Sequence, residues 1–456
     1  MKKTALIPLG ILFLIITAAL TGCISEEKPQ KQEEKTETDL ALLLMNYYNN
    51  NTIAIAYNTM FTDEIREQTS VEQLEMIWNQ IIASYGDLQE IIQTKITEEE
   101  GYTIVYVTCS YSDLGLLDTR IAFDESKLIA GFQFVATDLS DQYQQPTYAD
   151  TNQFNEIIIT IGEGTAWELP GTLTIPNGEG PYPVVILVHG SGPNDQDESI
   201  GPNKPFKDLA WGLASNDIAV LRYEKRTKHH STTIVNQLTT FTVFDETIDD
   251  ALEAITFLNT YESIDNQSIY LLGHSLGGML APRIAAQTTK LAGIIMLAAP
   301  ARHLEELMLN QTIYLSGIDG EITTEEQTQI DLAQTQVQQI QNLSIAEDEI
   351  ILGAGKAYWE DLSTYEQVET AQTLIIPMCI LQGKRDYQVT YEDDFTQWNN
   401  TFADNQNVSM NSYETLNHLF ISGEGTPTNT EYMTPSNVDE QVIIDIANWI
   451  TALSGE

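Results

Sequence analysis

Ser275 stands at the centre of Gly273-His274-Ser275-Leu276-Gly277, and its surroundings say more than the five letters do. Residues 269–272 form a continuous apolar run of the kind that makes a buried strand. Residues 276–286 carry a helical pattern. A serine between such a strand and such a helix lies on a sharp turn, where neighbouring glycines prevent clashes. The N-terminus of the helix then faces any negative charge that develops beside the hydroxyl. This is the environment expected of a serine that attacks an acyl carbon.

Such a serine needs a base, and the chain holds six histidines. His189 sits at a strand end, His274 is locked beside the serine, and His229 and His230 form a pair in a basic loop. His303 opens a helical insertion. Only His418 follows the last expected strand, residues 408–413, and the chain order serine, acid, histidine selects it. With 66 Asp and Glu in the chain, position rather than residue type must choose the acid. Asp386 lies just beyond an apolar run at 374–381, where its carboxylate can orient an imidazole. Glu414 is the reserve candidate, while Asp393 and Asp394 read as capping residues at a helix start. Two backbone amides should receive the oxyanion. One is that of Leu276; the other lies in His189-Gly190-Ser191-Gly192-Pro193, with Ser191 favoured over Gly190.

The elements that must position these residues alternate in type. Apolar strand-like runs at 184–188, 218–221, 269–272, 294–297 and 374–381 are separated by helical patterns, including 244–258 and 276–286, and 438–453 closes the series. That order implies an α/β domain at 153–456 with a mostly parallel sheet. Residues 301–370 interrupt the alternation with Gln- and Glu-rich helical sequence, expected to form a cap. Tyr358 and Trp359, near its end, would shape an apolar acyl pocket or serve as packing. Upstream, helical patterns at 40–57 and 71–85 precede alternating stretches at 103–110, 119–123 and 129–135. These suggest a small α+β domain at 39–137, joined by a polar linker at 138–152. Its Trp and Tyr residues read as core.

Residues 1–23 read as a leader: Lys2 and Lys3, then an apolar run to Leu20. The end of that run, Leu20-Thr21-Gly22-Cys23, resembles the lipobox of bacterial and some archaeal lipoproteins. The resemblance implies cleavage before Cys23 and a diacylglyceryl group on its thiol; residues 24–38, charged and without apolar periodicity, read as a tether. The alternative is an uncleaved membrane anchor. Both place the rest of the chain outside the cytoplasmic membrane. Cys109 and Cys379 read as buried free thiols, and three cysteines supply neither a disulfide framework nor a Cys-based zinc site. The formal net charge is -45, which excludes tracking of nucleic-acid phosphates. It suits solubility in salty surroundings, or simply marks an acidic surface.

The motif at Ser275 resembles the α/β-hydrolase superfamily, near its dienelactone-hydrolase, acyl-aminopeptidase and carboxylesterase branches. The stretches from His189 to Glu198, Asn203 to Phe206, Leu221 to Thr227 and Gly383 to Val389 are similar to secreted carboxylesterases with an extra N-terminal domain. The resemblance implies a Ser275–Asp386–His418 triad, action on short acyl esters and no cofactor. Glu224 stands where the family more often has Asp, and Asp197, Glu198, Arg222 and Arg226 are expected to form a buried ion-pair network. A serine peptidase uses the same machinery, and an envelope binding module that no longer turns over is the third reading.

Overall fold

The computed structural model describes residues 35–99, 101–111 and 115–454. The expected leader, Cys23 and the tether up to residue 34 lie outside the described residues. Two compact units emerge. One comprises the described residues up to Asp138 together with Ser316–Glu326; the other comprises Leu139–Leu315 and the described residues from Gln327 onward.

The first unit begins with four helices, Glu37–Asn49, Ile53–Met60, Asp63–Gln68 and Val71–Tyr85. Reciprocal capping boxes start two of them, Thr36 with Asp39 and Ser70 with Gln73. The single helix expected at 40–57 is broken, because Asn51 takes φ +53°, a conformation asparagine tolerates better than most residues. An antiparallel sheet follows in the order β1 (Leu88–Glu99), β2 (Tyr102–Tyr111), β3 (Gly115–Phe123) and β4 (Ile129–Ala136). Strand β1 escaped the sequence pattern because both its faces are largely exposed, so it carries no apolar alternation. Tyr48, Trp78, Val105, Val107 and Phe123 are buried in one core, with Tyr48 stacked on Phe132. Cys109 is buried there as a free thiol, and burial pushes its pKa up to about 12.

The second unit is built on an eight-stranded sheet. Its strands are β5 (Phe154–Ile161), β6 (Leu169–Pro176), β7 (Tyr182–Val188), β8 (Ala219–Tyr223), β9 (Ile264–His274) and β10 (Gly293–Leu297). A small hairpin, β11 (Ile350–Ile351) and β12 (Ala354–Gly355), precedes β13 (Met378–Gly383) and β14 (Val408–Tyr413). The order across the large sheet is β14-β13-β10-β9-β7-β8-β6-β5. Pairing is parallel from β8 to β14, whereas β6 is antiparallel to both β5 and β8. The sequence pattern misses β5 and β6. Pro170, Gly171 and Pro176 punctuate β6, and β5 is an edge strand with Ile158 turned to solvent. The run expected at 374–381 starts late, since Pro377 precedes the strand and Ile375 is exposed.

Alternation along β7 sends Val184, Ile186 and Val188 to one face and Val185 and Leu187 to the other. Helices Asp249–Leu258 and Leu276–Ala285 cover the first face, Pro205–Ala214 and Glu440–Ser454 the second. Both faces are therefore buried, which is why the strands read as unbroken apolar runs. Cys379 on β13 is likewise a buried free thiol. Between β10 and β13 run helices Leu304–Ser316, Thr324–Gln341, Lys356–Ser363 and Gln367–Gln372. The last part of this insertion is fastened to the helix after Ser275. Tyr365 Oη donates to the Met279 carbonyl at 2.7 Å, and Arg283 and Asp361 form a bidentate pair at 2.8 and 2.9 Å. Among the described residues no helix is long and apolar enough to cross a membrane.

Candidate active site

Strand β9 delivers Ser275 onto the turn that opens helix Leu276–Ala285, with φ +53° and ψ -117°. A left-handed φ on a residue with a Cβ persists only when its surroundings hold it. The Ser275 amide donates to the Leu297 carbonyl on β10 at 2.9 Å, and its carbonyl accepts from Met279 N–H at 2.9 Å. Gly277 explains the second half of the motif: a Cβ there would lie 2.2 Å from the Val188 carbonyl oxygen at the end of β7. The Leu276 amide opens the helix immediately after the serine, and its side chain is buried.

The loop after β7 comes up against the same serine. A Cβ on Gly190 would lie 3.1 Å from Ser275 Cβ, so this backbone approaches as closely as a glycine permits. The Gly190 N–H is already committed, donating to Glu198 Oε1 at 2.6 Å. Of the two amides weighed from sequence, Ser191 is therefore the one not taken by that carboxylate.

Asp386 occupies the turn after β13 and is 4% exposed, a degree of burial that demands partners for every oxygen. Its Oδ1 accepts from the Gln388 and Val389 amides at 2.8 and 3.0 Å. Its Oδ2 accepts from Gln382 Nε2 at 3.1 Å and from His418 Nδ1–H at 2.7 Å. A carboxylate on Nδ1 leaves the lone pair of a neutral imidazole on Nε2. His418 belongs to the loop after β14, shaped by Asn417 Oδ1, which accepts from the Leu419 and Ile421 amides at 3.0 and 3.3 Å. Phe420 takes φ +57° in the same turn.

The other candidates fall elsewhere. Glu414 is exposed and paired with Lys384. Asp394 is wholly buried and accepts from the Thr390, Ala301 and Arg302 amides and from the Arg302 side chain, so it braces two loops. The expected four-member ion network is instead three separate groups. Arg222 pairs with Asp197 and Glu156, Arg226 with Asp249 and Asp250, and Glu198 with His274. Tyr358 and Trp359 are interior: Tyr358 Oη donates to Glu246 Oε2 at 2.6 Å, and Trp359 Nε1 donates to the Ile351 carbonyl at 3.0 Å.

His274 ties the three loops together. Its Nε2–H donates to the His418 carbonyl at 2.9 Å, and its Nδ1 lies 2.9 Å from Glu198 Oε2, short of hydrogen-bond alignment. Burial alone would drive this imidazole toward neutrality, yet the Glu198 charge raises its pKa above the usual value. Burial likewise works to raise Glu198, and the His274 charge holds it below the ordinary carboxylate range. Sequence reasoning missed this pair because the partners come from separate loops. Among the described residues no group of three or more His, Cys, Asp or Glu is arranged to hold a metal ion.

His189 beneath the Gly190 loop behaves oppositely. Its Nε2–H donates to the Asp195 carbonyl at 3.0 Å, and its ring packs on Phe206 and Tyr223. Burial pushes its pKa down to about 4. The folded state thus keeps the ring neutral where the unfolded chain binds a proton. Stability from this group is complete above about pH 6.5 and falls as pH drops toward 4, by roughly 3 kcal/mol. Thermal unfolding between pH 7 and pH 4 is expected to show a steeper decline in the wild type than in His189→Gln. Parallel curves would contradict the assignment.

Comparison with known proteins gives two family matches. Residues 181–424 match the model described as serine aminopeptidase, S33. Residues 41–132 match a family of proteins of unknown function, DUF3887. Esterase EstD of Thermotoga maritima is 41% identical over 393 residues, spanning 86% of this chain and 90% of that protein. Among solved structures, Est1E from Butyrivibrio proteoclasticus is 15% identical with a TM-score of 0.43, covering 66% of this chain and 99% of its own. Pyrococcus horikoshii acylaminoacyl peptidase is 13% identical with a TM-score of 0.44, covering 80% and 51% respectively.

Proposed function

The chain belongs to the S33 serine aminopeptidase family of α/β-hydrolases and is an esterase-type serine hydrolase; we propose that it cleaves carboxylic esters through Ser275, His418 and Asp386. The observation that carries the residue assignment is the 2.7 Å bond between buried Asp386 and His418 Nδ1, on neighbouring loops at the same sheet end as the strained Ser275 turn. His418 Nε2 takes the Ser275 hydroxyl proton as Oγ attacks the acyl carbon. The negative charge that forms on the carbonyl oxygen is met by the Leu276 and Ser191 amides. His418 then protonates the leaving alcohol, and the same nitrogen activates the water that releases the acyl group and regenerates Ser275. Asp386 holds the imidazole in the required tautomer and offsets its charge while it carries both protons.

Ester rather than amide cleavage is the reading favoured by the 41% identity to an esterase along nearly its whole length. Parallel assays of p-nitrophenyl acetate, butyrate and octanoate against amino-acyl p-nitroanilides test it. Faster turnover of a short ester by at least about 10³-fold in kcat/KM is expected. Comparable or greater anilide turnover would make the enzyme a peptidase.

We infer also that the enzyme is anchored outside the cytoplasmic membrane. Cys23 carries a lipid and holds the enzyme at the outer face of the cytoplasmic membrane, a reading supported by the Leu20-Thr21-Gly22-Cys23 pattern after an apolar run. Cys23→Ala should release the protein into the soluble fraction of expressing cells. Unchanged membrane retention would favour the uncleaved anchor.

A further inference from the structure

We propose that Lys225 is a positioning residue that fixes the direction of the Ser191 N–H, and with it the geometry of oxyanion binding; this rests on the role given above to the Ser191 amide. The carbonyl of Gly190 and the N–H of Ser191 belong to one planar trans peptide and point in opposite directions. Whatever holds that carbonyl therefore aims that N–H. The Gly190 carbonyl oxygen accepts from Lys225 Nζ at 2.7 Å and from Asn194 Nδ2 at 3.3 Å. The peptide on the other side of Gly190 is pinned as well, by Glu198 Oε1 on the Gly190 N–H. Gly190, which lacks a Cβ, would otherwise be a free joint in the loop. Here the groups on both sides of it are tied to opposite charges, directly beside Ser275.

A lysine does more than a neutral donor at this point. Lys225 is 2% exposed, so its field on the peptide is weakly screened. A cation on the carbonyl polarises the whole amide and makes the opposite N–H a stronger donor to an anion. Stability does not explain the charge, since buried ion pairs are often no better than apolar packing. The ammonium is itself held: Lys225 Nζ donates to Glu246 Oε1 at 2.7 Å, and Glu246 Oε2 accepts from Tyr358 Oη at 2.6 Å. Burial raises the Tyr358 pKa well above its usual value, which keeps the hydroxyl a donor. Tyr358 lies on helix Lys356–Ser363 of the insertion between β10 and β13. The chain Tyr358–Glu246–Lys225–Gly190 thus runs from that insertion to the peptide unit that meets the oxyanion.

The test is the double variant Lys225→Met/Glu246→Gln, which removes both charges together and leaves no buried ion unpaired. Ester kinetics are measured with the affinity for phenylboronic acid, which forms a tetrahedral adduct on an active serine. The expected result is a fall in kcat of about 10- to 100-fold, KM within about twofold, and boronate binding weakened by the same factor as kcat. Unchanged kcat in the folded variant, or a loss carried by KM alone, would overturn the proposal. Should the double variant not fold, Tyr358→Phe retains both charges and loosens their support. A smaller kcat loss, tracked by boronate affinity, is expected there, and no change in either overturns the proposal. Ser191→Pro removes the N–H itself and separates the two levels of failure. An active Ser191→Pro enzyme overturns the oxyanion reading, whereas a crippled one beside an unaffected double variant overturns only the role of Lys225.

Discussion

Replacing Ser275 with alanine is expected to lower kcat for ester hydrolysis by about 10⁵-fold or more, with the fold intact. The size follows from the proposed acyl-enzyme route, in which no neighbouring group can substitute for the Oγ. Residual turnover would come from substrate binding and the two oxyanion amides acting on water. The substitution removes one partly buried hydroxyl and keeps the backbone conformation, so stability should shift by less than about 1 kcal/mol. Steady-state kinetics alongside thermal unfolding checks both halves. A loss below about 100-fold in a folded variant would mean that another nucleophile does the work.

Asp386→Asn is expected to cost about 10⁴-fold in kcat, and the surroundings say why. The Oδ1 position is claimed by two backbone donors, Gln388 and Val389. An asparagine must place its carbonyl oxygen there, which turns its NH₂ toward His418 Nδ1. The imidazole then accepts at Nδ1 and carries its proton on Nε2, the wrong tautomer to take a proton from Ser275. The same NH₂ also faces Gln382 Nε2, a donor against a donor, costing about 1–3 kcal/mol of stability. Kinetics and unfolding of the variant read the two effects separately. A kcat within about tenfold of wild type would show that Asp386 does not govern the tautomer of the working base.

The parts of this architecture with local signatures are legible in the sequence. The run at 269–272 followed by Gly273 to Gly278 and a helical pattern specifies a strand, a tight turn and a helix in one short stretch. The parallel strands buried on both faces announce themselves as apolar runs, and the chain order of serine, acid and histidine points to Asp386 and His418, whose side chains the fold joins at 2.7 Å. What escaped was whatever depends on surroundings. Strand β6 is hidden by its prolines, and β1 by its lack of a buried face. Among 66 acidic residues, charge gives no means of choosing partners. The sequence groups Glu198 with Asp197, Arg222 and Arg226, whereas in the fold it answers His274 and the Gly190 amide. The Tyr358–Glu246–Lys225 chain was equally invisible, because three segments distant in sequence meet only after the sheet and insertion have packed. Buried polar groups pair with what the fold brings near them, and no periodicity encodes that.

The identity of the nucleophile can be settled by labelling the folded protein with a fluorophosphonate and locating the adduct by peptide mass spectrometry. Stoichiometric modification of the peptide carrying Ser275, abolished in Ser275→Ala and slowed in Asp386→Asn, is the expected result. An adduct on a different side chain, or labelling that survives in Ser275→Ala, would contradict the assignment.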